Sequence, residues 1–345
     1  MPEKLKLGGV SPPRVLVYLY YQYSVLVIHV NHQLAHWRLH PNRSTCSQAR
    51  DNQPLGQTMQ ALLVGCIRLI GVGYAVIGGG LFLIQRKLQY IPEAAEPPLP
   101  SSYSVAHVDI QRKEITTKDG IQLSCWYWPA SEGKKYSDVS FLQFHGNAGN
   151  RQHRLRWATK LRSTFGCSIT LVDYRGYGGS TGKPTEQGLI LDAVASIRWY
   201  IRQQSSNKTK LVLHLESIGS AAAVNALAQL SAEEHSSISG IVIEGGLSSC
   251  IEIVSNKLWF LPLAILMLDK WAGTCSAARQ LSANIKLLSL HGDADAIVPL
   301  WCGKKLFAAA GCQEKDFIEL RGSGHNDLNE HPKYFAVLDS YLRKL

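Results

Sequence analysis

The chain has 345 residues, 46% of them hydrophobic and 18% charged, a balance that allows a sizeable core and excludes a globally disordered polymer. Its net charge of +10 raises the question of a polyanionic partner, but Lys and Arg are scattered and no basic run is interleaved with aromatics, so no nucleic acid is expected. The eight cysteines form no C-x-x-C pair and lack zinc-ligand spacing, and several sit in apolar runs as buried thiols do, which argues against a disulfide framework.

Residues 1–58 form an irregular N-terminal extension. The Tyr-rich apolar run over 15–30 is too short for a confident membrane span. His29, His32, His36 and His40 fall at helical spacing, but no carboxylate or Cys lies close by to complete a ligand set, so no metal is expected there. Asn42-Arg43-Ser44 and Asn207-Lys208-Thr209 are glycosylation sequons, meaningful only in a secretory lumen. Only three methionines occur; Met59 immediately precedes the next apolar run, and the mature chain is expected to begin there. Residues 59–88 are then a transmembrane anchor. The stretch 61–84 carries Arg68 as its only charge and is long enough for a hydrocarbon core of about 30 Å. Gln85-Arg86-Lys87 closes it. With basic residues on both flanks, the positive-inside rule gives no orientation. Residues 89–102, with Pro92, Pro97, Pro98 and Pro100, suit a spacer.

From residue 103 the pattern becomes regular to the C-terminus. Strands are expected over 108–116 and 121–128 around the turn Lys118-Asp119-Gly120, then over 139–144, 168–172, 211–215, 241–243, 285–290 and 317–320. Helices are expected over 151–163, 185–204, from Ile218 onward and over 332–343. After an initial hairpin, strand alternates with helix. This is an α/β fold with a mostly parallel sheet covered by helices on both faces, whose sites form at the carboxyl ends of strands.

Three strand ends carry chemistry. Ser217 ends one strand and starts a helix, where a nucleophile is presented. A serine needs a base to take its proton and an acid to orient that base. The strand over 285–290 runs into His291-Gly292-Asp293-Ala294-Asp295, and the strand over 317–320 into Gly322-Ser323-Gly324-His325. The resulting order, Ser217, an Asp, His325, is that of α/β-hydrolase triads. Donors for a tetrahedral oxyanion are expected from the backbone N–H of Ile218, at the helix start, and of Asn147, in the loop His145-Gly146-Asn147-Ala148-Gly149. Asp173, Tyr174 and Arg175 are expected to shape the loop after a strand and to pack near the site, and Trp126 and Trp128 to pack rather than bind.

The chain resembles the α/β-hydrolase-fold serine hydrolases, and within them the membrane-anchored bud-emergence-suppressor-like branch. The matching pieces are LIQRKLQYIP after the apolar run, FHGNAGN, VDYRGYGGSTGKPTEQG, Asp269-Lys270-Trp271, HGDADAIVP and GSGHNDL, spread over residues 61–345. The resemblance implies a membrane-anchored esterase or thioesterase with no cofactor, acting on a membrane lipid or an S-acylated protein; it leaves the oligomeric state unknown. It also selects Asp295 over Asp293 as the acid, four residues after the motif's His. The elbow departs from the family: Leu215, Glu216 and Ser220 stand where it usually has Gly, Arg and Gly. Leu215 is expected to crowd the elbow at a cost of about 1–3 kcal/mol, and Glu216 to disfavour a nearby oxyanion. Glu244-Gly245-Gly246-Leu247 is a further departure. The rival expectation is a degenerate hydrolase fold that binds or scaffolds at a membrane without catalysis.

Overall fold

The computed structural model describes residues 55–100, 110–203 and 209–345. The run over 15–30, the His stripe, the Asn42 sequon, Asn207-Lys208 and the start of the strand expected at residue 108 lie outside the described residues. Contacts divide the chain into residues 1–67 and residues 68–345; the sheet belongs to the second of these.

Helix α1 (Leu55–Gln89) has an apolar surface that finds little cover: over its most apolar window only 6% is buried. Arg86 and Lys87 in its last turn complement the negative end of the helix dipole. That last turn is fastened to the Asp269-Lys270-Trp271 motif. Arg86 Nε donates to Asp269 Oδ2 at 2.8 Å and Gln89 Nε2 to the Asp269 carbonyl at 3.1 Å.

The chain then enters β1 (Ile91–Pro92) and, after the hairpin strands β2 (Gln111–Thr116) and β3 (Gln122–Trp128), reaches β4 (Val139–Phe144) and β5 (Ala148–Gly149). A short 3-10 turn leads into α2 (Leu155–Phe165), and β6 (Ser168–Val172) and α3 (Glu186–Gln203) follow. Next come β7 (Lys210–Glu216), α4 (Ile218–Leu227), α5 (Ala232–Ser236), β8 (Ile238–Glu244), α6 (Cys250–Lys257), α7 (Leu263–Leu266) and α8 (Thr274–Ala278). The chain ends with β9 (Lys286–Gly292), α9 (Leu300–Ala309), β10 (Lys315–Leu320) and α10 (Tyr334–Leu342).

Eight strands form one sheet in the order β10-β9-β8-β7-β4-β6-β3-β2. The β2–β3 and β3–β6 pairs are antiparallel and the rest parallel. The central strands β4 and β6 are buried along their whole length, as strands covered on both faces must be. One face packs on α3, α4 and α9 through Leu189, Ala193, Ala222 and Leu306. The other packs on α2 and α10 through Trp157, Leu161, Tyr334 and Leu338. The expected architecture and the expected buried packing of Trp126 and Trp128 both hold.

The proline-rich stretch expected as a spacer is instead strapped to the domain. Strand β1 pairs in parallel with β5, Ile91 opposite Ala148. Beyond it, the carbonyls of Glu93 and Ala94 accept from Gly178 and Gly179 N–H at 2.9 and 2.8 Å. Glu96 pairs with the fully buried Arg151, whose guanidinium also holds Asp173 and lies 4.6 Å over the Trp126 ring. Asp173, with no exposed side chain, has its charge matched chiefly there. Removing one partner of a buried ion pair leaves the other uncompensated, so Arg151→Met is expected to cost about 3–5 kcal/mol, read by urea unfolding of the detergent-solubilised chain; a loss below about 1 kcal/mol, the scale of an exposed pair, would contradict this account of the strap.

Candidate active site

Ser217 stands alone between the last residue of β7 and the first of α4, with φ 54° and ψ −119°. Among the described non-glycine residues only Trp271 shares a positive φ. A side chain in that region costs on the order of 1–3 kcal/mol and persists only where its surroundings over-determine it. Here they do. Ser217 N–H donates to the Glu244 carbonyl at 2.9 Å, and the Ser217 carbonyl accepts from both the N–H and the hydroxyl of Ser220, at 2.9 and 2.6 Å. The Ser220 hydroxyl in turn accepts from Leu247 N–H at 2.9 Å, which ties the elbow to the loop after β8. Gly219 lets α4 approach β4: a Cβ there would fall 2.2 Å from the Phe144 carbonyl oxygen.

The strand order lays the loops after β7, β8, β9 and β10 side by side, and this brings Ser217, Asp295 and His325 together. His325 Nε2 lies 2.9 Å from Ser217 Oγ, and His325 Nδ1 lies 2.6 Å from Asp295 Oδ2. The other Asp295 oxygen accepts from Ile297 and Val298 N–H at 2.9 and 2.8 Å. Burial pushes the Asp295 carboxyl up, but the bond to His325, the His325 charge and the two N–H donors outweigh it and hold the group below its ordinary value. Asp293, the alternative acid, is exposed and accepts from Gly322 N–H at 2.6 Å instead. His291 backs the carboxylate from the buried side. Its Nε2 lies 2.9 Å from the Val298 carbonyl and 3.4 Å from Asp295 Oδ2, and burial holds it below the usual histidine range.

Gly245 is a site residue that the sequence offered only as an unexplained departure. It has φ 56°, and a Cβ on it would lie 2.9 Å from His325 Cε1 and 3.0 Å from its Nδ1. The imidazole therefore rests on bare backbone at the end of β8.

The loop expected to supply an oxyanion donor lies against the elbow. Its Asn147 carbonyl accepts from the Tyr177 hydroxyl at 2.9 Å and from Ile91 N–H at 3.0 Å, and the Asn147 side chain donates to the Gln89 carbonyl at 2.8 Å. Tyr174 OH holds the His145 carbonyl at 3.1 Å, and Asp173 lies 3.2 Å from His145 Nε2. Asp173 and Tyr174 thus pack against the 145–149 loop, while Arg175 is held by Asp192 and Asp119. Ile218 opens α4 directly after Ser217.

Two readings at the elbow change. Leu215 is accommodated against the small residues that open α4. It lies on the same strand face as Leu211 and Leu213, fully buried in the layer that includes Ala221, Ala222 and Ala223, and the close approach of helix to strand is made by Gly219. Glu216 presents no free negative charge to the site. Arg154 grips it with Nη2 to Oε1 at 2.6 Å and Nε to Oε2 at 3.0 Å, while Arg154 Nη1 donates to the Ala148 carbonyl at 3.0 Å. Burial raises the Glu216 carboxyl, but the Arg154 charge and hydrogen bonds bring it down to about 2. Through Arg154, Glu216 steadies the 145–149 loop. Gly146 lies beside this pair, a Cβ there falling 3.0 Å from Glu216 Oε1.

These readings set the direction of four variants. Leu215→Gly is expected to destabilise by roughly 3–5 kcal/mol, with no gain in rate, because it empties a buried site; higher activity at unchanged stability would contradict this. Glu216→Arg is expected to lower activity and Arg154→Glu/Glu216→Arg to recover part of it, measured as ester hydrolysis; equal rates in all three would remove the pair from the site. The folded Glu216 carboxyl lies below its ordinary 4.5. Its contribution is therefore fully present above pH 4.5 and fades as pH falls toward 2. The stability difference between wild type and Glu216→Gln, at most about 3 kcal/mol at neutral pH, should close over that acid window in denaturant titrations.

No protein-family model matches the chain. Among curated proteins it is 34% identical over 257 residues to uncharacterized protein Rv2307c of Mycobacterium tuberculosis, covering 73% of this chain and 86% of that one. It is 28% identical over 282 residues to protein bem46 of Schizosaccharomyces pombe, with 80% and 89% covered. It is 27% identical over 281 residues to the alpha/beta hydrolase domain-containing protein WAV2 of Arabidopsis thaliana, with 74% and 87% covered. Of solved structures, an esterase of Pyrococcus furiosus superposes with TM-score 0.56 at 18% identity, over 74% of this chain and 97% of that one. An a/b serine hydrolase without lid from Xanthomonas campestris superposes with TM-score 0.50 at 16% identity, over 72% and 97%. At those identities the structural likeness speaks for the fold. The curated relatives cover 73–80% of this chain, and with the sheet and its strand-end loops they fix the family: the chain belongs to the bem46-like branch of the α/β hydrolases.

Proposed function

We propose that this protein is a membrane-anchored serine hydrolase that cleaves an ester or thioester through an acyl-enzyme, with a membrane lipid or an S-acylated protein as the substrate class. The observation that carries the reading is the unbroken chain of contacts from Ser217 Oγ to His325 Nε2, 2.9 Å, and from His325 Nδ1 to Asp295 Oδ2, 2.6 Å. Ser217 Oγ attacks the acyl carbonyl carbon while His325 Nε2 takes its proton. The N–H groups of Ile218 and Asn147 receive the oxyanion. As the tetrahedral intermediate collapses, the bond to the leaving oxygen or sulfur breaks and His325 returns its proton to that atom. A water, deprotonated by His325, then attacks the acyl-enzyme and releases the acid and Ser217. Asp295, held in its ionised form, keeps Nδ1–H in place and steadies the imidazolium. These steps call on no metal and no organic cofactor.

Two further observations support the coarser parts of the reading. The relatives include a protein named as a hydrolase, and the fold neighbours include an esterase. The apolar, largely uncovered helix α1 supports the anchor. The tie between Glu216 and Arg154, and the buried seat of Leu215 against the small residues of α4, weigh against a non-catalytic scaffold.

The test uses the full chain in detergent with short-chain p-nitrophenyl esters and thioesters. Ser217→Ala is expected to reduce the rate to background, and Asp295→Asn to lower kcat by about 10⁴-fold with KM little changed. A rate unaltered by Ser217→Ala would remove that residue as nucleophile. Membranes washed with alkaline carbonate should retain the intact chain; its release into the soluble fraction would overturn the anchor.

A further inference from the structure

We infer that residues 258–268 dip into the bilayer leaflet adjoining the hydrolase domain, so that α1 is accompanied by a second, shallower membrane element beside the active site. The segment reads Leu-Trp-Phe-Leu-Pro-Leu-Ala-Ile-Leu-Met-Leu, with no charge between Lys257 and Asp269. Leu261 and Leu263 face inward and are buried, while Trp259 is 80% and Ile265 81% exposed, beside a half-exposed Leu268. Large apolar side chains displayed this way on one short segment mark an interaction surface.

What covers this surface follows from where α1 holds it. Tyr74 OH donates to the Phe260 carbonyl, Gln85 Nε2 donates to the Leu266 carbonyl at 3.0 Å, and Leu268 N–H donates to Gln85 Oε1 at 2.7 Å. Leu266 also packs on Gly78, 3.5 Å from where a Cβ would stand. Tyr74 and Gly78 precede Arg86, the first charge at the C-terminal end of the apolar run, by about 18 and 12 Å along the helix axis. One leaflet's hydrocarbon is about 15 Å deep, and tilt shortens the depth further. With α1 in a membrane, the anchor reading on which this inference rests, residues 258–268 lie alongside hydrocarbon rather than water.

Much of the segment's backbone is paired within the protein. Lipid offers no hydrogen bonds, so backbone groups must be paired within the protein. Leu261, Leu263, Ile265, Leu266 and Met267 N–H all donate to carbonyls inside the segment, Pro262 has no N–H to satisfy, and Gln85 serves both a donor and an acceptor. A loop in water would gain little from a buttressing glutamine and tyrosine on an apolar helix. Lys257 at one end and Arg86, Lys87 and Lys270 at the other place cations at headgroup level. Lys257 Nζ also reaches the Ala296 carbonyl at 3.4 Å, next to Asp295, so the base of the dipping segment abuts the candidate triad. An acyl substrate held in that leaflet has its carbonyl at the same level.

The experiment reconstitutes the full chain into phosphatidylcholine vesicles whose acyl chains carry bromine, a short-range quencher of tryptophan. Flotation with the vesicles reports the anchor alone. In floated protein, Trp259→Phe is expected to lose most of the bromine-dependent quenching seen in wild type, and Ile265→Trp on the Trp259→Phe background to restore it. Floated protein whose quenching is the same with and without Trp259 would overturn the inference while leaving the anchor intact. Trp259 shielded from aqueous iodide yet unquenched by bromolipid would overturn it in favour of a protein partner or a second copy on this face. Failure to float would overturn the anchor and this inference together.

Discussion

The site depends on one backbone constraint, the positive φ of Ser217 at the junction of β7 and α4. A serine does not adopt that conformation unaided. It is kept there by the Glu244 carbonyl on one side and the two bonds from Ser220 on the other. The close approach that Gly219 permits brings the elbow against the end of β4 and the loop behind it. Because β7, β8, β9 and β10 are neighbours in that order, the Oγ of the buried Ser217 meets His325 from the loop after β10, and that imidazole in turn meets Gly245 after β8 and Asp295 after β9. Topology supplies the neighbours, and the elbow turns the serine toward them.

The second organising feature joins the apolar helix to the site. Gln89, the last residue of α1, accepts from the Asn147 side chain, and Ile91, two residues on, donates to the Asn147 carbonyl. The strap continues through Glu93, Ala94 and Glu96 onto the glycine-rich loop and Arg151. The loop next to the serine is thus held from one side by Arg154 and Glu216, from beneath by Tyr174 and Tyr177, and from the other side by the chain leaving the helix. The end of α1 thus has a short covalent and hydrogen-bonded route to the 145–149 loop.

Much of this was legible in the sequence because it is local or periodic. Strands β4 and β6 fall where their apolar runs placed them, and Ser217, Asp295 and His325 stand at strand ends that chain order alone could line up. The misreadings were non-local. Glu216 looked like an uncompensated charge because its partner, Arg154, lies on a different element. Leu215 looked like an obstruction because the family has glycine there, although strand alternation already put residue 215 on the face of Leu211 and Leu213, away from Glu216. The prolines after α1 suggested a spacer, whereas parallel pairing with a two-residue strand, invisible to periodicity, straps the segment down. Gly245 and Ser220 carry no pattern at all; their roles emerge only when His325 and Leu247 are set beside them.

The central claim is that Ser217 is a nucleophile activated by His325, and covalent trapping tests it most directly. The folded full-length chain would be treated with a fluorophosphonate and digested, and the adduct located by mass spectrometry. The account predicts a single phosphonylated site at Ser217, formed far more slowly in His325→Ala and absent in Ser217→Ala. An adduct on another serine, or equal labelling of wild type and His325→Ala, would contradict it.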